Sequence, residues 1–291
     1  MKLSRIKETI ELVRDLPTLP AVAVKVNTLL NDPSSSACDL ASVIEKDQSI
    51  TAKILKLVNS AQYNLSHKVN NVAQAISLLG YRNISYIVMT IAVFDTLKAA
   101  SDSVFDRREF WIHSIATALL SKRIAVESAY PVPEDLFTAG LLHDIGKVFM
   151  DGYMNEDFME IANLAEKKGI SFYAAERELF DVHHALVGEW IARTWQLPLH
   201  VTAVIKHHHQ DVDQRSGLSV SQDQFVDMAV LADRAVKVQK LGSSGDGKKF
   251  APRISERLFT RLPIDRHDLE EMLEELQYDL RRSEALLNLA L

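Results

Sequence analysis

A long stretch without proline runs from Ser34 to Tyr130, and Gly80 is the only glycine within it. Proline and glycine are the residues that most often interrupt helices, so their scarcity leaves this stretch free to be helical. Apolar residues recur three and four positions apart, as at Ile50, Ile54 and Leu57. No convincing alternation of apolar and polar residues is present, so the predicted fold class is all-α. The same periodicity predicts helices at 21–30, 39–46, 49–58, 72–79, 84–98, 109–126, 156–168, 172–180, 184–195, 199–208 and 223–240.

Two of the predicted helix starts carry residues that can cap them. One is Ser36, with Asp39 three positions later, and the other is Ser49, directly before an apolar-periodic run. A serine hydroxyl at a helix start accepts a hydrogen bond from a backbone N–H that has no partner inside the helix. We therefore expect both serines to act as caps.

Composition and charge limit the kind of protein this is. Of the 291 residues, 47% are hydrophobic, and the single cysteine, Cys38, allows neither a disulfide nor a thiolate metal cluster within one chain. The 33 Lys and Arg are dispersed and outnumbered by 39 Asp and Glu, which argues against binding to duplex nucleic acid. No apolar run approaches the ~20 residues of a membrane span. We expect a cytoplasmic protein with no membrane segment.

The chain divides into three helical regions and a linker. Residues 1–105 are predicted to form an N-terminal helical subdomain, and a polar stretch separates it from a second helical subdomain at 106–240. Residues 241–252 include three glycines and two serines and are predicted to be a flexible linker. The charged residues 253–291 are predicted to form a helical C-terminal tail.

The adjacent residues His143 and Asp144, between Gly140 and Gly146, have the clearest chemical content. An imidazole nitrogen and a carboxylate side by side can bind the same cation, and the carboxylate can bridge two cations. A single His-Asp pair is also common as a structural or surface feature. Its interpretation therefore depends on the ligand-type residues that accompany it.

Other histidines lie in predicted helices around this pair, and each also has a structural interpretation. His113 can be a partly buried helix residue beside Trp111. His183 and His184 point about 100° apart on a helix, so at most one of them faces a common site. The three histidines 207–209 can stabilise a helix C-terminus through its dipole.

Asp233 lies among apolar residues in the sequence VLADR. An unpaired carboxylate on a core-facing stripe costs several kcal/mol, so this residue needs a partner. Arg234, a histidine and a metal ion are all possible partners at this stage.

Several further stretches resemble the opening of HDOD domains. They are Leu16-Pro17-Thr18-Leu19-Pro20, residues 43–60 (VIEKDQSITAKILKLVNS) and residues 75–80 (AISLLG). The resemblance covers roughly residues 12 to 235. It implies a multi-helix bundle similar to HD domains, with an N-terminal helical subdomain.

The HDOD family is related to the HD-domain metal phosphohydrolases, including the HD-GYP cyclic-dinucleotide phosphodiesterases. Many HDOD members have lost part of the metal set and are regarded as signalling or scaffolding modules. By this resemblance, the positions that bind one metal are matched by His113, His143, Asp144 and Asp233. The histidines that bind a second metal, with Asp144 as the bridge, are matched by His184, His208 and His209. Lys147 matches a lysine that helps to hold a phosphate.

The resemblance therefore implies one or two divalent metal ions, with Fe, Mn, Zn or Ni as candidates. The chain departs from the HD-GYP enzymes directly after the histidine pair, where those enzymes have Glu and then a Gly-rich GYP loop. Here residues 210–217 read QDVDQRSG. A neutral glutamine cannot do the acid-base work of a glutamate, which argues against cyclic-dinucleotide hydrolysis.

The sequence leaves two main functions open. One is a bacterial signalling or regulatory module that retains the metal site and engages a signalling protein, or a nucleotide or phosphate ligand. The other is a metal-dependent phosphohydrolase acting on a phosphomonoester or a (cyclic) nucleotide phosphodiester. In that case Asp144 and Lys147 are the catalytic residues, with Arg234 or Lys206 nearby. An unrelated helical protein with coincidental histidines is the third interpretation.

Overall fold

The computed structural model describes residues 9–15, 18–63, 65–97 and 106–291. Within these ranges the regular structure is helical and no strand occurs, which confirms the predicted all-α fold. Residues 9–14 are helical, and we number the later helices in chain order. They are α1 Ala21–Leu30, α2 Ala37–Ile44, α3 Gln48–Val58, α4 Val72–Leu79, α5 Tyr81–Thr96, α6 Arg107–Glu127, α7 Pro133–Leu142, α8 Ile145–Tyr153, α9 Asn155–Lys168, α10 Phe172–Leu179, α11 His184–Thr194, α12 Leu199–His207, α13 Val220–Val238, α14 Glu256–Arg261, α15 Arg266–Arg282 and α16 Glu284–Ala290.

The chain separates into two compact units. The first unit contains the described residues of 1–16 and 99–276, and the second contains those of 17–98 and 277–291. The residues predicted to be one C-terminal tail therefore fall into both units. Helix α14 belongs to the first unit and α16 to the second, while α15 contributes residues to each.

The second unit is built around helix α5. This helix is buried continuously from Ile84 to Phe94, as expected of a helix that is apolar on nearly every face. Helices α1, α3, α4 and α16 pack against it. Among the described residues, no single helix has both the length and the apolar composition of a membrane span, and α4 and α5 reach them only together, across a 120° bend.

The two predicted caps have different outcomes. The Ser36 hydroxyl accepts a hydrogen bond from Asp39 N, and the Asp39 carboxylate accepts one from Ser36 N, so this capping box is confirmed. The prediction for Ser49 is wrong. Helix α3 begins one residue earlier, and the Asp47 carboxylate caps it by accepting from Ile50 N at 3.0 Å.

The first unit brings six helices around one region. Helix α6 packs against α7 and α13, while α11 packs against α8 and α12. The approach of α8 to α11 depends on Gly146, because a Cβ atom at this position would lie 2.0 Å from the His184 carbonyl oxygen. Any larger residue would push these two helices apart.

Residues 241–249 have no regular secondary structure, and their backbone is hydrogen-bonded to other parts of the first unit. Ser243 N donates to the Glu109 carbonyl and Gly247 N donates to the Ile170 carbonyl, both at 3.0 Å. Gly242 has a φ of +71°, and a Cβ atom there would lie 2.3 Å from the Glu109 oxygen. The composition predicts a flexible linker. In the structure, the hydrogen bonds of Ser243 and Gly247 attach this segment to the first unit at two points.

We expect Gly242→Ala to destabilise the protein much more than Gly217→Ala. Both glycines have positive φ, which costs an alanine about 1–2 kcal/mol. Gly217 has open space around it, whereas Gly242 is in close contact with backbone and should cost a further ~1–3 kcal/mol. Urea unfolding of both variants measures the difference, and equal losses would mean that the segment is not anchored at Gly242.

Candidate metal centre

Each side chain of the predicted metal set is placed by a helix or a helix end of the first unit. His113 lies within α6 and Asp233 within α13. His143 directly follows α7 and Asp144 directly precedes α8, so the turn between these helices holds both. His184 begins α11, and the remaining two, His208 and His209, follow directly after α12.

The seven residues form two ligand groups. The first group is His113, His143 and Asp233, and the second is Asp144, His184, His208 and His209. Within each group the ligand atoms all lie within 4.8 Å of one another. All members are buried except His209, which is partly exposed. The sequence-predicted ligands therefore converge, although they are spread from His113 to Asp233.

The Asp144 carboxylate lies between the two groups. Its Oδ2 atom is 3.3 Å from His143 Nε2 in the first group. Its Oδ1 atom is 3.1 Å from His184 Nε2 and 3.3 Å from His208 Nε2 in the second. One oxygen thus faces each group, which is the arrangement of a carboxylate that bridges two cations.

Hydrogen bonds on the far side of three rings determine which imidazole nitrogen faces the centre as an acceptor. The Nδ1 atom of His143 lies 2.7 Å from the Gly140 carbonyl, and that of His208 lies 2.9 Å from the Ile205 carbonyl. His184 Nδ1 lies 2.7 Å from the Glu176 carboxylate. Because these oxygens only accept, each Nδ1 carries the proton, and the Nε2 of the neutral ring presents a lone pair.

When the rings are neutral, these lone pairs point at other acceptors. The Nε2 atoms of His184 and His208 are 3.3 Å apart, and both lie against Asp144 Oδ1. Four buried ligand atoms of the two groups make no hydrogen bond of acceptable geometry: His113 Nε2, His143 Nε2, Asp144 Oδ1 and Asp233 Oδ1. Buried polar atoms without partners are costly, and a cation in each ligand group would give all four a partner.

The spacing of the ligand atoms also fits a metal ion. Two ligands at about 2.1 Å from one ion are separated by about 3.0 Å at right angles and about 3.4 Å at the tetrahedral angle. His113 Nε2 is 3.1 Å from Asp233 Oδ1, and His143 Nε2 is 3.5 Å from the same oxygen. The residues present therefore fit a divalent metal ion.

The charges of the centre match this assignment. Burial alone would raise the pKa of Asp144 and of Asp233, but nearby lysines and histidines hold both pKa values well below the usual range. Burial lowers the pKa of His208 to about 4 and that of His209 well below its usual value. The two acids are thus ionised and these two rings neutral at pH 7, the forms that bind metals.

Three further residues support the ligands, and the sequence analysis did not single them out for this role. Glu176 accepts from both the backbone N–H and the ring of His184, each at 2.7 Å. Lys237 Nζ lies 3.1 Å from Asp233 Oδ2 and 3.4 Å from Asp246 Oδ2. Glu176 lies one turn after Phe172 on the apolar face of a predicted helix. A carboxylate on such a face could have indicated a residue that supports a metal ligand.

Three other expectations concern residues near the ligands. His183 caps α11 through its Nδ1 and packs against Tyr173, so of the two adjacent histidines only His184 belongs to a ligand group. Lys206 pairs with Glu189 at 3.1 Å, and Arg234 Nη1 donates to the Arg253 carbonyl at 3.4 Å. The lysine beside Asp144 is Lys147, whose Nζ is 2.7 Å from Oδ2.

Comparison with known proteins identifies the family. A sequence model of the HDOD domain matches residues 16–211, about two thirds of the chain. The chain belongs to the HDOD family. A relative from Treponema pallidum is 23% identical over 198 residues, which are 68% of this HDOD chain and only 38% of the relative's length.

Three solved structures share the fold of this HDOD chain. An HDOD domain protein from Geobacter sulfurreducens is 26% identical, with a TM-score of 0.76 and coverage of 98% of this chain and 99% of that one. A Shewanella amazonensis protein provisionally named a phosphohydrolase is 19% identical, with a TM-score of 0.74 and coverage of 96% and 97%. A Marinobacter aquaeolei protein provisionally named for signal transduction is 19% identical, with a TM-score of 0.77 and coverage of 98% and 61%.

The segment after the histidine pair of this HDOD chain is hydrogen-bonded to neighbouring residues and paired with α13. The Gln210 side-chain oxygen lies 2.5 Å from His207 Nδ1. The backbone carbonyl of Gln210 accepts a hydrogen bond from Arg215 Nε. Arg215 also pairs with Asp223 and Asp227 on α13. The residue that replaces the glutamate of the HD-GYP enzymes thus makes local structural hydrogen bonds.

We expect Glu176→Gln to weaken the second ligand group selectively. An amide cannot accept from both His184 donors, so the ring loses its fixed orientation, and metal affinity should fall about 10- to 100-fold. Competition with a chelator measures this for each bound ion. Glu178→Gln, on the same helix but exposed and paired with Lys168, is the matched control and should leave affinity unchanged. Equal affinities in both variants would contradict this role of Glu176.

Metal binding at pH 7.5 should release protons. Burial would lower the pKa of His143, but the Asp144 and Asp233 carboxylates raise it to about 9, so the metal-free ring is protonated at pH 7.5. A metal ion must displace that proton, and the release should decline as the pH rises through 9. Calorimetry in two buffers of different ionisation enthalpy counts the protons, and no release at pH 7.5 would contradict the assignment.

Proposed function

We propose that this protein is a bacterial signal-transduction module of the HDOD family that retains an HD-type metal site for one or two divalent ions. The observation that carries the proposal is the placement of Asp144, with one carboxylate oxygen facing each ligand group. The convergence of seven buried or partly buried ligand-type residues into two groups, with Asp144 facing both, supports a centre built for metal.

The ligand types limit the metal without naming it. Imidazole and carboxylate ligands suit Fe, Mn, Zn and Ni, and no thiolate is available to select a softer ion. When bound, such an ion acts as a Lewis acid and lowers the pKa of a bound water. The chain's own contribution is to fix the ligand tautomers and to keep both carboxylates ionised.

Two observations support the signalling role: membership of the HDOD family and the contacts of Lys147 at the site. Family membership itself, and the structural neighbour provisionally named for signal transduction, support a signalling context. The lysine that a phosphate would use is engaged, since Lys147 Nζ donates to Asp144 Oδ2 and to the Ser244 carbonyl. With Gln210 in place of an acid, this favours binding over turnover. The partner we propose is a signalling protein, or a nucleotide or phosphate ligand.

A second candidate function is a metal-dependent phosphohydrolase acting on a phosphomonoester or a (cyclic) nucleotide phosphodiester. The specific observation in its favour is that a bridging carboxylate and a lysine ammonium lie 2.7 Å apart in one buried centre. In this function Asp144 would contribute to holding both ions, and Lys147 would neutralise charge that develops on the phosphate oxygens. Lys147 must then exchange the Ser244 carbonyl for the phosphate.

Metal content and turnover distinguish the two functions. We expect protein purified without chelator to contain one or two transition-metal ions per chain and Asp144→Asn to lose them, because the shared ligand is gone. Mere traces in the unmodified protein would contradict the retained site. Elemental analysis measures the metal content of both proteins. Glu178→Gln is the control and should keep its metal.

The same proteins are then tested on p-nitrophenyl phosphate, bis-p-nitrophenyl phosphate and cyclic di-GMP, with Mn²⁺ or Fe²⁺ added. For a signalling module we expect no turnover above that of Asp144→Asn. Turnover that falls on the order of 100-fold or more in Asp144→Asn would instead establish the phosphohydrolase.

A further inference from the structure

Residues 243–246, which we call the strap, touch both lysines of the metal centre. The Ser244 carbonyl accepts from Lys147 Nζ at 2.8 Å, and Asp246 Oδ2 lies 3.4 Å from Lys237 Nζ. Lys147 is fully buried and the Lys237 side chain is only 9% exposed. The strap therefore supplies an acceptor oxygen to each of two buried cations.

Both lysines also contact a metal ligand on their other side. Lys147 lies 2.7 Å from Asp144 Oδ2, and Lys237 lies 3.1 Å from Asp233 Oδ2. The two ammonium groups beside the candidate metal ligands offer positive charge to an anion bound at the centre. The strap places its own oxygens where such an anion would bind.

The Asp246 carboxylate is held as an anion. Its Oδ1 accepts from Phe172 N at 2.7 Å, and its Oδ2 accepts from the Ser244 hydroxyl at 3.2 Å. Burial would raise the pKa of Asp246, but Lys237 and Lys147 hold it below the usual value. A carboxylate with charge-assisted contacts of this kind has the same recognition chemistry as a phosphate oxygen pair.

The two ends of the strap are fixed, and its middle is not part of a helix. Gly242 and Gly247 approach backbone so closely that a Cβ atom would lie 2.3 Å from the Glu109 or the Ala165 carbonyl oxygen. Between them, Gly245 has a φ of +82°, a backbone conformation that glycine adopts without steric cost. The anchors restrict any movement to the few residues that carry Ser244 and Asp246.

We propose that the strap closes the metal centre and that a phosphate-bearing ligand opens it, replacing Asp246 on Lys237 and the Ser244 carbonyl on Lys147. The inference rests on the proposed function, since it takes the neighbouring ligand groups to be a metal centre. A phosphomonoester is the ligand class that fits best, because its dianion offers several oxygens and enough charge for both lysines. A strap of this kind couples ligand binding to a change of surface, as a signalling module requires.

The test measures binding of inorganic phosphate to the whole 291-residue chain after incubation with the metal. In the unmodified protein the closed strap competes with phosphate, which reduces the apparent affinity by the open fraction. Asp246→Asn keeps the shape of the strap but removes its charge, so we expect phosphate to bind about tenfold more tightly. The matched control is Asp151→Asn, which removes another buried aspartate paired with a cation, Arg107, and should not change the affinity.

Hydrogen exchange adds a readout that a merely structural role would not move. Phosphate should speed exchange of the amides of residues 243–247 in the unmodified protein, because it displaces the strap. Three results would each overturn the proposal: equal phosphate affinity in Asp246→Asn and the unmodified protein, weaker affinity in the variant, or strap exchange that phosphate leaves unchanged or slows.

The metal content of the same samples separates this proposal from the proposed function. If the predicted phosphate effects occur in samples that bind no metal, the competition between the strap and phosphate is supported and the metal site is contradicted. If metal is bound and the phosphate effects are missing, the strap fails and the metal site stands.

Discussion

The Asp144 carboxylate is fully buried and ionised, and a buried charge must be compensated. Lys147 compensates part of it from one side, at 2.7 Å. On the other side stand imidazole nitrogens, and those of His184 and His208 present lone pairs that cannot donate to the carboxylate in their neutral form. The arrangement is stable with protons or metal ions between these atoms, and their spacing favours metal. The close packing of α8 on α11 at Gly146 serves this meeting of Asp144 with His184.

Around this charge the first unit is organised in layers. The ligands form the inner layer, and their orientation depends on backbone carbonyls, on Glu176 and on two lysines. The strap forms the next layer, because Ser244 and Asp246 engage the same lysines. In the proposed strap mechanism, a change in this layer acts on the candidate metal ligands through one intervening ammonium group. That mechanism provides a direct physical route from ligand binding to a conformational change.

Periodicity predicted most helices because tertiary packing preserved the local pattern, as in the wholly buried α5. It did not predict α7 and α8, because Gly140, Gly146 and Gly152 weaken the helical signal. Of these, Gly140 and Gly146 allow close packing. The ligand residues could be named from the family resemblance, but their meeting depends on contacts that span some 120 positions. Lys237 and Asp246 could not be named, because nothing local distinguishes them from solvated charges.

The most direct measurement is anomalous diffraction at the absorption edge of the metal found in the purified protein. The account predicts a peak about 2.0–2.2 Å from the Nε2 of His143 and from an Asp233 oxygen, or from Asp144 Oδ1 and the Nε2 of His184, with both peaks present if two ions bind. A crystal with strong metal signal elsewhere on the protein and none beside Asp144 would contradict it.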